Sequence, residues 1–348
     1  MRVLALTTQV PFVRGGAERL AEGLIRSIQD AGHEAELVSV PFKWYPAKQV
    51  LDHMLLCRLI DLTEVCGEKI DRVIGLKFPT YLVPHPNKVM WVVHQHRTAY
   101  DLWDSDYGDL IHHPNGLQVR QAIMNADNNA FAECQRIYTI AGNVSKRLKQ
   151  FNNVDSQPIY SPPYGADDFY CDASSDYLFF PSRLNAIKRQ HLIIQAMSHT
   201  AKPVRVVFAG KSDDKAHERY LQELVQKLNL GNRVEFLDEI SEVEKISHYA
   251  KSIAVVYVPF DEDYGYITLE AMLSSKPVIT CHDSGGSLEF VLDQQTGIVA
   301  EPTLQSLAIA MDRLWDDRAL AKTLGQAGRD RYDQMNISWA NVARKLLA

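Results

Sequence analysis

Residues Asp261 to Met272 read DEDYGYITLEAM and follow directly on the apolar run IAVVYVPF. A strand that leads through a glycine turn into a helix aims unpaired N–H groups and the positive end of the helix dipole at one point, an arrangement suited to an anion. Three acids nevertheless occupy the approach: Asp261, Glu262 and Asp263, with Glu270 eight positions after Glu262. Two carboxylates can serve as acid and nucleophile in glycoside hydrolysis if they stand roughly 5 to 10 Å apart across a sugar. The plainer alternative is a solvated acidic loop in favourable contact with a helix dipole.

Cations lie at the end of another strand pattern, in FFPSRLNAIKRQ. Arg183 falls in the loop just past the strand and Lys188 begins the next helix pattern. The pair suits a diphosphate, because Arg supplies a fork of donors and Lys a compact point charge. Two exposed loop cations are the alternative. Near the N-terminus, TTQVPFVRGGAERLAEGL places Gly15 and Gly16 between a strand and a helix, where backbone N–H groups can approach a phosphate closely. The full G-x-G-x-x-G spacing and the later acid of a dinucleotide site are missing, so a structural turn stays open there. In VVHQHRTAYDLWD, His94 and His96 point to the same side if the extended conformation persists. A substrate contact and a packed or surface pair are both compatible with that spacing, whereas a metal site would need a third ligand and a suitable second shell, neither of which a sequence can show.

The elements that must hold these residues are legible as a repeating pattern. RVLALTT, EAELVSV, DRVIGL, VMWVVH and RIYTIA read as strands, separated by helices such as AERLAEGLIRSIQDAG. YLFFPS, VRVVFAG, RVEFLD, IAVVYVP and KPVITC then restart the series. Near-continuous apolar strands spaced by helices imply parallel sheets covered on both faces. Between the two series, VDSQPIYSPPYGADDFY carries Pro158, Pro162, Pro163 and Gly165 and reads as a linker. The expectation is two doubly wound Rossmann-like α/β domains, 1–164 and 165–330, facing a central cleft, with 331–348 a closing helix that returns to the first.

The 348-residue length fits two domains. Five scattered cysteines (Cys57, Cys66, Cys134, Cys171 and Cys281) without metal-type spacing suggest free thiols in a reducing compartment. No run approaches the roughly 20 apolar residues of a membrane span, and MRVLALTTQVPF reads as a strand rather than a signal peptide. A cytoplasmic location follows as the expectation. Residues 1–164 are charge-balanced and the acidic excess of six lies in 165–348, which argues against a nucleic-acid partner.

Taken together, these residues resemble the retaining glycosyltransferases of the GT-B architecture, the group 1 class also called family 4. The Glu-x7-Glu signature of that class is matched from Glu262 to Glu270, and AMLSSKPVITCHDSGGSLEFV resembles the helix, strand and Gly-Gly loop that follow it. PSRLNAIKRQHLIIQAM resembles its Arg and Lys segment, RGGAERLAEGL its N-terminal glycine loop and ISWANVARKLL its closing helix. Asp263 departs from the pattern, which commonly has a small residue there.

The resemblance implies transfer of a sugar from a nucleotide-diphosphate donor, UDP- or GDP-linked, with retention at the anomeric carbon and neither metal nor cofactor. It assigns Arg183 and Lys188 to the departing diphosphate, helped by the Gly15–Gly16 loop and by the N–H groups of Gly265, Tyr266 and Ile267. Glu262 would read donor-sugar hydroxyls, Glu270 the ribose, and His94 the transferred sugar. The acceptor would be a glycan, a lipid-linked molecule or a small molecule. PFKWYPAKQVLDHMLLCRLI, with Trp44 and Tyr45, is either core or a contact for a lipid-linked acceptor, which would bring the protein to the inner face of a membrane. A sugar-nucleotide epimerase of the same architecture and a nucleotide-sugar binding protein without turnover are the alternatives.

Overall fold

The computed structural model describes residues 1–12 and 15–348. The chain divides into two compact units, one formed by Met1–Tyr164 with Ile337–Ala348 and the other by Gly165–Asn336. Arg14, which opens the N-terminal glycine motif, lies outside the described residues.

The first unit alternates strands and helices in chain order: β1 (Arg2–Gln9), α1 (Gly16–Asp30), β2 (Glu34–Pro41), α2 (Lys48–Leu59), a short antiparallel hairpin of β3 (Glu64–Val65) and β4 (Glu68–Lys69), then β5 (Arg72–Lys77), β6 (Lys88–His94), α3 (Gly116–Ala132), β7 (Arg136–Thr139), α4 (Gly142–Asn152) and β8 (Gln157–Pro158). Its main sheet runs β2-β1-β5-β6-β7-β8, every pair parallel. Parallel strands covered on both faces must be apolar throughout, and Val89 to Val93 of β6 are buried without a break.

The second unit holds β9 (Leu178–Pro181), α5 (Gln190–Met197), β10 (Val206–Ala209), α6 (Lys215–Lys227), β11 (Val234–Leu237), α7 (Glu242–Lys251), β12 (Val255–Val256), α8 (Tyr266–Leu273), β13 (Val278–Cys281), β14 (Gly297–Ala300), α9 (Leu304–Asp316) and α10 (Arg318–Gln334). Its sheet is also parallel, in the order β11-β10-β9-β12-β13-β14. Both units are doubly wound, as the alternation in the sequence predicts.

α11 (Trp339–Leu347) packs within the first unit. Its Trp339 ring lies over Gly23 of α1, where any Cβ would collide with it, and meets Trp91 of β6 edge to face. Arg72, buried at the start of β5, donates to the carbonyls of Leu346 and Ala348 at 2.8 and 3.0 Å. The passage back to the first unit falls after Asn336, beyond the residue 330 boundary read from the sequence, because α10 stays helical to Gln334.

Candidate functional site

In the second sheet the strand order reverses between β9 and β12, and in open parallel sheets ligands settle outside the carboxyl ends of strands at such a switch point. The segment leaving β9 carries Arg183 and Lys188; the segment leaving β12 carries Tyr257 to Gly265. Lys188 closes a short 3-10 turn whose start is capped by Asn185, the side-chain oxygen accepting from the Lys188 N–H at 3.2 Å. From there the Lys188 ammonium bonds the Glu262 carboxylate and the Tyr257 hydroxyl, the latter at 2.9 Å, and Tyr257 in turn donates to the same Glu262 oxygen. Burial pushes the Glu262 carboxyl up, but the Lys188 charge and the hydrogen bonds from Lys188 and Tyr257 outweigh it and hold it below its ordinary value. Burial first, and the Glu262 charge second, push the Tyr257 phenol well above its usual value, so it stays a donor at neutral pH.

Arg183 is placed differently. Its side chain is exposed and pairs at 2.8 Å with Asp213, whose other oxygen accepts from Asn185 at 2.8 Å. Lys188 and Glu262 are thus joined directly, while Arg183 is anchored on the neighbouring loop.

Glu270 belongs to a second cluster. It is buried on α8 and takes both its partners from α7, Lys245 at 3.0 Å and the Tyr249 hydroxyl at 2.6 Å. Lys245 also pairs with Glu242 at 2.9 Å. Burial lowers the Lys245 ammonium, yet Glu270 and Glu242 outweigh it and raise it above its ordinary value, keeping Lys245 charged. Gly265 is the N-cap of α8 at φ +86, in the left-handed region, and a Cβ there would meet Ser287 Oγ at 2.9 Å. Glycine is required on both counts. Tyr266 and Ile267 form the first turn of α8, so their N–H groups belong to its electropositive end.

In the first unit the order reverses between β1 and β5. Gly15 and Gly16 stand at the start of α1 beyond the end of β1, with Gly15 extended at φ −157. Glu18 receives the Gly15 N–H at 2.8 Å and pairs with Lys77, the last residue of β5, at 3.2 Å. The glycine loop is therefore tied to the neighbouring strand end.

β6 stops at His94, so the alternation assumed for His94 and His96 does not continue and the two rings have different surroundings. His94 Nδ1 is 2.8 Å from the Gln95 carbonyl, which requires Nδ1 to carry a proton. His96 packs against the rings of Phe42 and Phe78, and burial drives its pKa down to about 4, outweighing Asp109. Among the described residues no three His, Cys, Asp or Glu side chains converge as metal ligands, and no helix is long and apolar enough to cross a membrane. On and before α2, Trp44, Tyr45, Leu55, Leu56 and Leu59 are exposed, while Val50, Met54 and Cys57 form the buried face.

The family described as glycosyl transferases group 1 matches residues 172–331, a range that contains Lys188, Glu262 and Glu270. Residues 172–331 thus resemble a group 1 glycosyltransferase domain. The alpha-1,3/1,6-mannosyltransferase ALG2 of Homo sapiens is 35% identical over 210 residues, covering 54% of this chain and 50% of that protein. The D-inositol 3-phosphate glycosyltransferase of Corynebacterium diphtheriae is 28% identical over 177 residues, 48% of this chain and 40% of its own. The matches thus span half or less of these relatives' lengths. Among solved structures, sucrose-phosphate synthase from Thermosynechococcus elongatus superposes with a TM-score of 0.79 at 16% identity, over 99% of this chain and 97% of that one. Anabaena HepE in complex with UDP-glucose does so at 0.73 and 16%, over 99% and 98%. These likenesses show the GT-B fold.

Within residues 172–331, sequence reasoning singles out Lys188, Glu262 and Glu270 and misses the residues that hold them. Tyr257 is hidden at the end of an apolar run, although a buried tyrosine hydroxyl needs a partner and so gives a weak signal. Lys245 and Tyr249 read as an ordinary helix face, since nothing local shows that α7 delivers them to Glu270.

Proposed function

We propose that this protein is a retaining glycosyltransferase that moves a hexose from a UDP- or GDP-sugar to an acceptor hydroxyl of a glycan, lipid-linked or small molecule, without a metal. The observation that carries the reading is the Lys188–Tyr257–Glu262 cluster at the strand switch point of the region that the group 1 family matches. A compact cation held beside an ionised carboxylate suits a diphosphate that leaves a sugar: the ammonium meets the developing phosphate charge and the carboxylate accepts from sugar hydroxyls. Arg183, on its Asp213 tether, adds a second cation to the same loop. The N–H groups of Gly265, Tyr266 and Ile267, with the Gly15–Gly16 loop, assist in holding the diphosphate, and Glu270 reads the ribose. The bond from the anomeric carbon to the diphosphate oxygen breaks, the acceptor oxygen adds on the same face, and its proton passes to the departing diphosphate. His94 contacts the transferred sugar. The names of the relatives favour a hexose donor, mannose among the candidates.

The test is a thermal-unfolding screen with UDP, GDP and their hexose conjugates. A donor at a hundred times its dissociation constant adds about 2.7 kcal/mol to the folded state, and NMR of the product formed with an acceptor should show the donor's anomeric configuration. No stabilisation by any of these compounds would overturn the reading, and release of an altered donor without acceptor would replace it by epimerisation. Glu270→Gln, which leaves Tyr249 an acceptor and Lys245 its Glu242 partner, should weaken binding of the stabilising donor about tenfold by calorimetry, the scale of one charge-assisted hydrogen bond. Unchanged affinity excludes the ribose role.

A further inference from the structure

Directly beside Lys188, Arg189 has a left-handed backbone, φ 58 and ψ 36, and its side chain is buried. An L-residue with a Cβ is strained in that region, where glycine would be at ease. Its guanidinium is nevertheless fully used. Nε donates to the Val258 carbonyl at 2.7 Å and Nη2 to that of Pro259 at 2.9 Å, while Nη1 and Nη2 form a two-pronged pair with Asp283, both bonds 2.7 Å. Val258 and Pro259 begin the segment that delivers Glu262, and Asp283 lies on the loop after β13.

Backbone bonds tie the same three segments together. Phe260 N–H donates to Ile187 O at 2.8 Å, Asp261 N–H to Asp283 O at 2.8 Å, and Gly286 N–H to Glu262 O at 2.7 Å. A Cβ on Gly286 would collide with the Asp263 carbonyl, so the loop after β13 lies directly against the Glu262 segment. Arg189 is buried and Asp283 half-buried, and an ion pair withdrawn from water is a poor device for stability alone, since well-packed apolar residues serve equally well. A backbone strain added to such a pair, one residue from Lys188, points to placement instead.

We propose that Arg189 and Asp283 form a positioning clamp that fixes the register of the Glu262 segment against Lys188, so that the Lys188–Tyr257–Glu262 cluster stands ready before the donor arrives. The clamp rests on the proposed function for its catalytic consequence but not for its mechanical one. In Arg189→Gly the clamp is lost while the strained backbone is relieved, and Asp283→Asn retains a single acceptor oxygen in place of the carboxylate. In the protein without ligand, amide hydrogen exchange at Asp261 and Gly286 should accelerate at least tenfold in Arg189→Gly, with the denaturant midpoint close to wild type. With whichever UDP- or GDP-hexose stabilises the wild type, kcat should fall at least tenfold at a near-constant acceptor KM. Asp283→Asn should lie between the two, and it carries the same measurements if Arg189→Gly does not fold.

Unchanged exchange at Asp261 and Gly286 in a folded variant overturns the clamp. So does accelerated exchange accompanied by wild-type kcat. If no nucleotide sugar binds even the wild type, the proposed function falls, and the exchange measurement still decides whether the clamp exists.

Discussion

Lys188→Ala is expected to reduce turnover of the donor by two to three orders of magnitude, and Arg183→Ala to do the same at a smaller cost in stability. Removing one preorganised charge or donor from a transition state typically costs about 2.7 to 4 kcal/mol, which is that range in rate. The two cations differ in what their loss leaves behind. Arg183 is about half exposed and its Asp213 partner keeps Asn185, so truncation leaves a solvated carboxylate. Lys188 and Glu262 are each 17% exposed, and without Lys188 the Glu262 carboxylate retains the Tyr257 hydroxyl but loses the charge that offsets its burial. Its pKa should then rise, and the Lys188→Ala enzyme should lose residual activity towards acid pH where the wild type does not. Because the two side chains share one cluster, the Lys188→Ala and Glu262→Ala losses should fall short of additivity in the double variant. Steady-state rates with a nucleotide-hexose donor, measured over pH 5 to 8, check all of this. Near-normal rates in both single variants would remove the assignment of these cations to the diphosphate.

How much of this was readable in the chain depends on the range of each interaction. Strands such as VMWVVH and YLFFPS announce themselves because a parallel strand is buried on both faces, so the fold class follows from local composition. β8 and the β3–β4 hairpin do not, being two residues long per strand and partly or fully exposed, with no apolar run to mark them. Lys188 and Glu262 are legible as charges at strand ends, but their bond depends on β9 and β12 being neighbours across 74 residues of sequence. The Arg189–Asp283 pair spans 94 residues and joins two loops, so no spacing rule could reveal it. Glu270 shows the opposite limit: its distance from Glu262 in sequence suggests one shared pocket, whereas its hydrogen bonds go to α7. For His94 and His96, the two-residue period fails because the strand ends at the first of them.

Two titratable groups of the first unit, Asp127 and His96, should oppose one another in stability. Asp127 on α3 is fully buried and accepts from the Tyr100 and Tyr81 hydroxyls at 2.7 and 3.1 Å through one oxygen, with Gln95 beside it. Burial, only partly offset by those bonds, raises its pKa to about 7, whereas His96 is lowered to about 4. In the unfolded chain a carboxyl of this kind titrates near 4 and a histidine near 6.5. Between those limits the folded state holds a proton on Asp127 that the unfolded state has released, so this group gains stability as pH falls from about 7 towards 4. Over pH 6.5 to 4 the unfolded state protonates His96 and the folded state does not, so that group loses stability as pH falls. Each slope is at most about 1.4 kcal/mol per pH unit, and in the wild type they should nearly cancel between about pH 4.5 and 6.5. Asp127→Asn removes only the first. Relative to wild type, its unfolding free energy should therefore drop by roughly 2 to 3 kcal/mol on acidification from pH 6.5 to 4.5, and it should compare best above pH 7, where the wild type must carry an ionised carboxylate in its core. Urea unfolding of both proteins at several pH values measures the difference directly, and a constant gap across that window would show that Asp127 is ionised in the folded protein throughout it.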